Sequence, residues 1–518
     1  MKHKIILLVI IVLAFILRIY RLDQVPPSLY WDEASLGYNA FSISQTLRDE
    51  HGVFLPVTNF AAFGDYKPVG YIYAIVPFIK LFGLSEIVVR LPSAIAGTLL
   101  VLVTYFLVKE KKIALLAALF VAVSPWALQM SRAGFEANLA TLFSGLGILF
   151  FVRKTYPLAA ICLVLAMYTF NTHRIFVPIM TAGLSFIFIK EIIKNLKNYL
   201  IFIIFTIILL LPLIPHLLSP EGKLRFNEVS WVNNLSIIQK SNKQIEANGN
   251  VWWAKIIYNR RVYFVGEFSK HYLDHLRPDF LFESGDVNPR LSVRTTGIMY
   301  WLDLPLLILG LIFLIKKRTK LSAVLIFWLL IAPIPAAFAR ETPHALRILN
   351  ILPVPQIISA MGLYYLVQKQ KKLVIILAVI LSVSVYLYLK SYYVDYPKKY
   401  DMDWQYGYKQ AVEYVSGIQD NYEKINVTGF YGRPYIYFLF YNKYSPEKYW
   451  ANRSAYRDQF GFWVVNSFDK YNFADNLPAK MGKTLYVDKP DTNLSGKKLL
   501  KTIYDLNTQP VFLISESN

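Results

Sequence analysis

Residues 5–33 read IILLVIIVLAFILRIYRLDQVPPSLYWDE. An apolar run that we predict to span a membrane at residues 5–20 is followed by a proline-containing aromatic segment and then by Asp32-Glu33. Carboxylates beside a bilayer are costly unless they are paired or functional. We therefore interpret the pair as part of a polar site that faces out of a membrane.

Composition indicates the same class of protein. The chain has 518 residues, of which 55% are hydrophobic and 17% charged, and its mean hydropathy is +0.38. Long apolar runs without alternating polarity predict a polytopic α-helical membrane protein. We predict about eleven spans, near residues 5–20, 88–108, 113–130, 137–152, 157–171, 175–190, 199–217, 298–315, 321–339, 347–367 and 372–390. The first begins with basic residues as a signal peptide does, but lacks a small-residue cleavage site, so we expect it to be retained as an anchor.

Basic clusters alternate with the predicted spans and set their orientation. They lie at residues 2–4, 109–112, 153–154, 190–197, 316–320 and 369–372. A single membrane topology places all of them on the cytoplasmic side. The formal charge of +21 is then explained by topology and anionic headgroups, and we predict no nucleic-acid partner. The single cysteine, Cys162, excludes an intrachain disulfide and a Cys-based metal site.

This topology leaves three large outward-facing regions, residues 21–87, 218–297 and 391–518. We expect interfacial helices in the first and an aromatic, basic headgroup-level helix in the second. Residues 1–390 are predicted to form a transmembrane module. Residues 391–518 are predicted to form a small extracytoplasmic α/β domain with a packing or acceptor-binding role. Its predicted elements are a helix over 408–415 and strands over 424–430, 435–440, 462–465, 484–487 and 510–514.

Polar residues gather at the predicted outer ends of the spans. A carboxylate pair together with several cations suits the binding of a lipid-linked phosphate and a reaction at its headgroup. The residues are Asp32, Glu33, Lys67, Arg132, Glu136, Asn138, Asn171, His173, Arg174, Arg340, Glu341, His344 and Arg347.

Ordered motifs over residues 1–370 resemble the polyprenyl-phosphate-dependent glycosyltransferases of the GT-C type, the group of protein O-mannosyltransferases and aminoarabinose transferases. The motifs are WDEA at 31–34 with GYNA at 37–40, GDYKP at 64–68, RLPS at 90–93, SPW at 124–126, SR at 131–132, FEAN at 135–138, RPDFLF at 277–282, GD at 285–286 and PHALR at 343–347. The resemblance implies a GT-C transmembrane bundle with the acidic motif in the first outer loop.

The resemblance also implies that Asp32 acts at the reaction centre as a general base or by polarising the acceptor. Glu33 is expected to position Asp32, bind the acceptor or help to hold a divalent ion. The alternative is that either carboxylate only caps an interfacial helix.

Three cations are predicted to bind the donor phosphate. Lys67 looks like the family's phosphate-contacting lysine, with a snorkelling interfacial lysine as the alternative. His344 and Arg347 are three residues apart, and we predict them on one face of a helix, where both reach one phosphate. Their alternative role is a headgroup-level cap.

Seven further residues are candidates for substrate binding or structural pairing. Arg132 and Glu136 are spaced i, i+4 and could pair on a helix end. The full set of possible substrate-binding residues is Asp65, Tyr66, Arg132, Glu136, Asn171, His173 and Arg174. We predict no tightly bound metal or cofactor, although Mg²⁺ or Mn²⁺ at Asp32-Glu33 stays open.

Together these features predict an integral membrane glycosyltransferase that moves a sugar, hexose or pentose, from a polyprenyl-phosphate donor. The donor phosphate is held by Lys67 and Arg347, and Asp32 activates a lipid, glycan or protein acceptor for inverting transfer. We expect a multi-pass protein of a prokaryotic plasma membrane, surrounded by membrane lipids, with its active site extracytoplasmic. The alternatives are a transporter or flippase, a ligase of lipid-linked glycans, and a non-catalytic assembly or receptor protein.

Overall fold

The computed structural model describes residues 1–220, 222–223, 229–459, 463–473 and 483–517. Its chain divides into two compact units, each of which is discontinuous in sequence. The helical unit comprises Met1–Ala14, Gly97–Met130 and Ala137–Tyr386. The mixed unit comprises Phe15–Ala96, Ser131–Glu136 and Leu387–Asn518, so it groups the whole of the first predicted outer loop with the C-terminal residues. The predicted domain boundary at residues 390 and 391 stays a prediction.

Apolar helices dominate the helical unit, and a helix overlaps each of the eleven predicted segments. The helices that lie in this unit or continue into it are Lys2–Ile19, Glu86–Leu107, Lys111–Val123, Pro125–Ser131, Glu136–Val152, Tyr156–Thr169, His173–Ile187, Ile189–Lys194, Leu196–Leu210, Leu213–Leu218, Leu235–Ala247, Trp252–Ile257, Arg260–Asp274, Asp303–Lys317, Lys320–Ile331, Ile334–Ala337, Val354–Lys369 and Leu373–Lys390. A π-helical turn spans Asp279–Glu283 and a 3₁₀ turn Leu349–Ile351.

By length and composition, three helical stretches among the described residues can each cross a membrane: Glu86–Leu107, Lys320–Ala337 and Leu373–Lys399. A fourth crossing is possible if Lys111–Val123 and Pro125–Ser131, bent by 55°, form one broken span. Pro125 explains this bend, because proline disfavours helical backbone at the residue before it, and Ser124 is extended. The predicted count of eleven spans stays a prediction.

The mixed unit combines short helices with two sheets. Its helices are Trp31–Thr46, Gly70–Phe82, Tyr396–Lys399, Tyr408–Ile418, Pro434–Tyr441 and Pro446–Asn452, with π-helical Ser391–Asp395 and 3₁₀ turns at Met402–Trp404 and Gln419–Asn421. Strands β1 (Phe60–Ala62) and β2 (Asp65–Lys67) form an antiparallel hairpin in which Phe60 pairs with Lys67.

The larger sheet lies in the C-terminal part. Its strands are β3 (Lys424–Val427), β4 (Ser454–Arg457), β5 (Trp463–Phe468), β6 (Tyr471–Asn472), β7 (Thr484–Asp488), β8 (Lys497–Tyr504) and β9 (Pro510–Ser517). Within the described residues they are ordered β4-β5-β6-β3-β7-β9-β8. β3 is parallel to β6 and β7, and the other pairs are antiparallel. This region is therefore richer in strands than predicted.

The predicted strand over residues 435–440 is wrong, because Pro434–Tyr441 is a helix whose residues 434–440 are all buried. A short, continuously apolar run has no periodicity that separates a buried strand from a buried helix. Pro434 at the first helical position is the local signal for a helix. The predicted helix over 408–415 is found at Tyr408–Ile418.

Candidate active site

Asp32 and Lys67 form an ion pair in the mixed unit. Asp32 lies in the first turn of helix Trp31–Thr46, and Lys67 is the last residue of β2. Lys67 Nζ is 2.8 Å from Asp32 Oδ1, and the two side chains are 14% and 35% exposed. The pair is thus accessible enough to meet a ligand, yet sheltered enough for its charges to interact strongly.

Lys67 faces further carboxylates. Its Nζ lies 3.9 Å from Oε1 of Glu136, which begins helix Glu136–Val152. Burial would lower the pKa of Lys67, but the charges of Asp32, Glu136 and Asp65 raise it above its ordinary value. Lys67 is therefore held as an ammonium ion, which is the form that can bind a phosphate.

Glu33, the neighbour of Asp32, is buried and has both carboxylate oxygens in use. Arg90 donates from Nε to Oε1 at 2.9 Å and from Nη2 to Oε2 at 3.1 Å. The backbone N–H of Gly134 donates to Oε1 at 2.8 Å, and that of Tyr30 donates to Oε2 at 3.2 Å. The contact with Tyr30 caps the helix, so the capping role considered for this pair is found at Glu33.

Arg90 is fully buried and spreads its remaining hydrogen bonds over the loop before the acidic helix. Its Nη1 donates to the carbonyls of Leu22 and Pro26, both at 2.9 Å, and its Nη2 donates to Ser28. The guanidinium also lies 5.8 Å from the ring centroid of Trp404. Arg90 thus fixes the approach of the chain to Asp32 and Glu33.

Arg132 does not pair with Glu136 on a helix end, because helix Pro125–Ser131 ends before it. It is buried, and its guanidinium donates to the carbonyls of Leu17, Tyr20 and Val25 at 2.7–2.8 Å. The arginine thus satisfies carbonyls at the end of helix Lys2–Ile19 and beyond it. Its contact with a substrate stays a prediction.

Gln405, from the C-terminal part of the mixed unit, contacts the first residue of the acidic helix. Its Oε1 accepts from the backbone N–H of Trp31 at 3.0 Å and from the Tyr437 hydroxyl at 2.6 Å. Its Nε2 donates to the carbonyl of Tyr431 at 2.8 Å. N–H groups in a first helical turn lack intrahelical partners, so a residue 374 positions away caps this helix.

Two glycines allow the close packing around this helix. A Cβ on Gly432, whose φ is +81°, would lie 2.8 Å from the Trp31 ring. A Cβ on Gly37 would lie 2.5 Å from the ring of Phe440. Neither position has room for a side chain unless a neighbour moves.

Glu50 forms a second buried acidic cluster in the mixed unit. Its Oε1 accepts from the Tyr435 hydroxyl at 2.7 Å, and its Oε2 accepts from Asn39 Nδ2 at 3.1 Å. The Glu50 carbonyl accepts from Trp450 Nε1 at 2.9 Å and Arg453 Nη1 at 3.0 Å. Burial raises the pKa of Glu50 to about 7.

The helix that contacts Glu50 also contacts the lysine-bearing hairpin. The Tyr435 ring packs edge-on against Phe63, with centroids 5.9 Å apart, and the Arg433 guanidinium lies 5.2 Å from the Phe63 ring. Phe63 has φ +56° in the turn between β1 and β2. The C-terminal part therefore supports both the acidic helix and the strand that carries Asp65, Tyr66 and Lys67.

His344 and Arg347 lie in the helical unit, but not on a helix as predicted. The next α-helix along the chain begins at Val354, after the 3₁₀ turn Leu349–Ile351. Pro353 explains the late start, because it lacks an N–H and restricts Leu352, which is extended. The helical-face argument for a shared phosphate is therefore wrong, and the phosphate role itself stays a prediction.

Each of these two residues has an acidic neighbour. His344 Nδ1 is 3.9 Å from Asp286 Oδ2, and Arg347 Nη2 is 3.7 Å from Glu341 Oε2. Asp286 Oδ2 also accepts from the backbone N–H of Ala345 at 2.7 Å, and burial raises the pKa of Asp286.

Asn171, His173 and Arg174 lie at the start of helix His173–Ile187 in the helical unit. His173 is fully buried, with Nε2 3.5 Å from Ser144 Oγ. Arg174 Nε donates to the carbonyl of Met167 at 3.3 Å. These contacts tie the start of this helix to its neighbours.

The Asp32-Glu33 pair does not fit a divalent cation as arranged here. Both Glu33 oxygens already accept hydrogen bonds from Arg90 and the backbone, and Asp32 Oδ1 faces Lys67. Over the described ranges, no group of three or more His, Cys, Asp or Glu side chains could hold a metal ion.

Sequence reasoning gave no role to Arg90, Gln405 or Glu50. Arg90 carried a signal, since a lone arginine in an apolar span implies a buried acidic partner. Gln405 and Glu50 carried no such signal. Their partners Trp31 and Tyr435 are hundreds of residues away in sequence, and the residue types alone do not indicate which side chains will meet.

Residues 8–171 match the family model described as Dolichyl-phosphate-mannose-protein mannosyltransferase. This range contains Asp32, Glu33, Lys67, Arg90 and Glu136. No curated protein sequence matches the chain.

Solved structures extend the likeness over nearly the whole chain. ArnT from Cupriavidus metallidurans in the apo state is 11% identical, with a TM-score of 0.56, over 99% of this chain and 97% of ArnT. ArnT bound to undecaprenyl phosphate is also 11% identical, with a TM-score of 0.56, over 98% and 97%. The apo Archaeoglobus fulgidus oligosaccharyltransferase is 12% identical, with a TM-score of 0.49, over 86% of this chain and 64% of its own length. The family model over residues 8–171 and the fold shared with ArnT thus bear out the resemblance to GT-C glycosyltransferases.

Replacing Arg90 by lysine should destabilise the protein strongly. An ammonium cannot reach both Glu33 oxygens and three carbonyls, so buried acceptors lose partners, which costs about 3–5 kcal/mol. The measurement is the thermal unfolding temperature of the detergent-solubilised chain. Arg261→Lys, at an exposed helix start, is the control and should unfold like the wild type. Equal stability of Arg90→Lys and the wild type would contradict the anchoring role.

Replacing Gln405 by alanine should also lower the unfolding temperature, by several degrees. The part-buried N–H of Trp31 and the buried Tyr437 hydroxyl lose their acceptor, and a buried group left without a partner costs about 1–3 kcal/mol. Gln509→Ala, in the same part of the chain but exposed, is the matched control. If both variants unfold at the same temperature, the cap from Gln405 contributes nothing to the free energy of unfolding.

Glu50 should make stability fall as pH rises. Its pKa increases on folding from 4.5 to about 7, so between these values the folded state binds more protons than the unfolded state. A shift of this size corresponds to about 3 kcal/mol, lost progressively from about pH 5 to pH 8. Unfolding temperatures of wild type and Glu50→Gln across this range test it, since only the wild type should carry this component. Parallel pH profiles would contradict it.

Proposed function

We propose that this chain, which shares its fold with ArnT and matches the mannosyltransferase model over its first third, is an integral membrane glycosyltransferase. It moves a sugar from a polyprenyl-phosphate donor to an acceptor, with inversion, on the extracytoplasmic side. The observation that carries the proposal is the 2.8 Å contact between Lys67 and Asp32.

Lys67 is proposed to receive the donor phosphate. It is an ammonium with little exposure, flanked by Asp32 and Glu136. An incoming phosphate competes with Asp32 for this cation, so binding of the donor frees Asp32 Oδ1 to accept a hydrogen bond. Lys67 then offsets negative charge on the leaving group in a sheltered site.

Asp32 is proposed to take the proton of the acceptor. As the acceptor oxygen or nitrogen bonds to the anomeric carbon, the carbon–oxygen bond to phosphate breaks and polyprenyl phosphate leaves with the electron pair. The proton of the acceptor moves to the Asp32 carboxylate. Attack from the face opposite the leaving group inverts the anomeric centre.

Glu33 is assigned a positioning role rather than contact with the reacting atoms. Its two oxygens bind Arg90 and the backbone N–H groups of Gly134 and Tyr30. Because Glu33 is held so firmly, the first turn of the helix and hence Asp32 are also fixed.

The proposal also includes further phosphate-binding residues, the class of acceptor and the membrane setting. His344 and Arg347 remain candidates for phosphate binding in the helical unit. The acceptor is a lipid, glycan or protein, and the setting is a prokaryotic plasma membrane. The match with a transferase family favours this function over a transporter or flippase.

Replacing Asp32 by asparagine should reduce transfer by orders of magnitude while leaving the fold intact. The change keeps the size of the side chain but removes the base, and general base catalysis contributes about 10²–10⁴-fold. The assay is transfer of labelled sugar from polyprenyl-phosphate donors to a pooled set of lipid, glycan and peptide acceptors.

Asp23→Asn is the matched control, since Asp23 is exposed in the same loop. It should transfer at the wild-type rate. Full activity of a folded Asp32→Asn would overturn the assignment, and wild-type binding of donor without any transfer would favour the transporter.

A further inference from the structure

A cavity of about 960 Å³ lies in the helical unit. The active-site proposal uses none of the residues that line it. Four separate stretches of the chain contribute most of its wall, within residues 105–114, 149–154, 188–191 and 313–324. The cavity brings together six basic residues from three of the clusters that we assigned to the cytoplasmic side, Lys109, Lys111, Arg153, Lys154, Lys317 and Lys320.

The cavity has an apolar floor and a cationic rim. Leu107, Ile113, Leu314 and Val324 line it and are buried. The six basic residues are exposed. An amphipathic ligand with an anionic head matches this arrangement. A free anion could bind the cationic rim but would bury no apolar surface against the floor.

The two acidic residues of the lining are already engaged. Glu110 Oε1 accepts from the backbone N–H of Lys112 and caps helix Lys111–Val123. Glu191 forms an ion pair with Lys320. The remaining basic side chains therefore leave a cationic excess around the cavity.

Aromatic rings support three of the cations at the rim, and one of these is Lys320, whose Nζ lies 5.1 Å from the Phe188 ring centroid. The Arg153 guanidinium lies 5.1 Å from the Phe106 ring centroid, and Arg153 Nη2 donates to the Phe106 carbonyl at 3.3 Å. Lys317 Nζ lies 5.0 Å from the Phe313 ring centroid. Such contacts restrict the rotamers of these side chains before a ligand binds. The loss of side-chain entropy on binding is therefore smaller.

The cavity lies where candidate membrane spans end. Leu107 is the last residue of the Glu86–Leu107 span, and Lys320 is the first residue of Lys320–Ala337. The ends of membrane spans lie at the level of the lipid headgroups, where lipid phosphates are concentrated.

We propose that this cavity binds the phosphate headgroup of an anionic membrane lipid. The phosphate lies at the cationic rim, with Arg153 and Lys317 among its contacts, and the adjoining apolar part of the lipid covers the floor. The site is independent of glycosyl transfer and forms no covalent bond.

The test measures the unfolding temperature of the detergent-solubilised full chain with increasing phosphatidylglycerol, phosphatidylcholine or inorganic phosphate. Phosphatidylglycerol should raise the temperature of the wild type at concentrations where the other two do not. The double variant Arg153→Gln/Lys317→Gln should need about 30-fold more phosphatidylglycerol, because each cation near an anionic lipid surface contributes roughly fivefold in affinity.

The double variant Lys371→Gln/Lys372→Gln is the matched control, since it removes two exposed charges that do not line the cavity. It should respond like the wild type. An equal loss in both double variants would indicate general surface charge and overturn the proposal. An equal response to inorganic phosphate would replace the lipid by a free anion, and no response to phosphatidylglycerol would exclude the site.

Discussion

The buried ion pair between Arg90 and Glu33 is the interaction on which the mixed unit depends. Two charges without water are stable only when every hydrogen-bonding group is satisfied. Glu33 achieves this with Arg90 and two backbone N–H groups, and Arg90 with three carbonyls of residues 22–28. Removing either partner therefore disturbs the loop before the acidic helix, the helix itself and the segment at Gly134 at once.

This constraint separates the roles of two adjacent carboxylates. Consecutive helical residues point about 100° apart, so anchoring Glu33 also sets the direction of Asp32. The side chain of Glu33 is 2% exposed and that of Asp32 is 35% exposed. One carboxylate is thereby committed to the framework, and its neighbour is left beside Lys67, where it can meet a substrate.

Sequence patterns predicted the features that depend on local composition. Apolar runs located the helices, and the acidic motif and GDYKP located the residues that form the Asp32–Lys67 pair. Features that depend on distant partners were missed, as with Gln405 beneath Trp31. Others failed because local signals conflict: residues 435–440 read equally well as strand or helix, and Pro353 delays the helix expected to carry Arg347.

The C-terminal residues contribute to the framework of the acidic helix. Gln405 caps Trp31, Gly432 packs under its ring, and Trp404 lies against Arg90. These contacts reach the same helical turn that Arg90 holds through Glu33, so the turn is fixed by two sets of partners that are far apart in sequence. A turn fixed in this way loses little conformational entropy when it binds a substrate. A packing or acceptor-binding role was predicted for the C-terminal region, and the helix that it packs against is the one that presents Asp32.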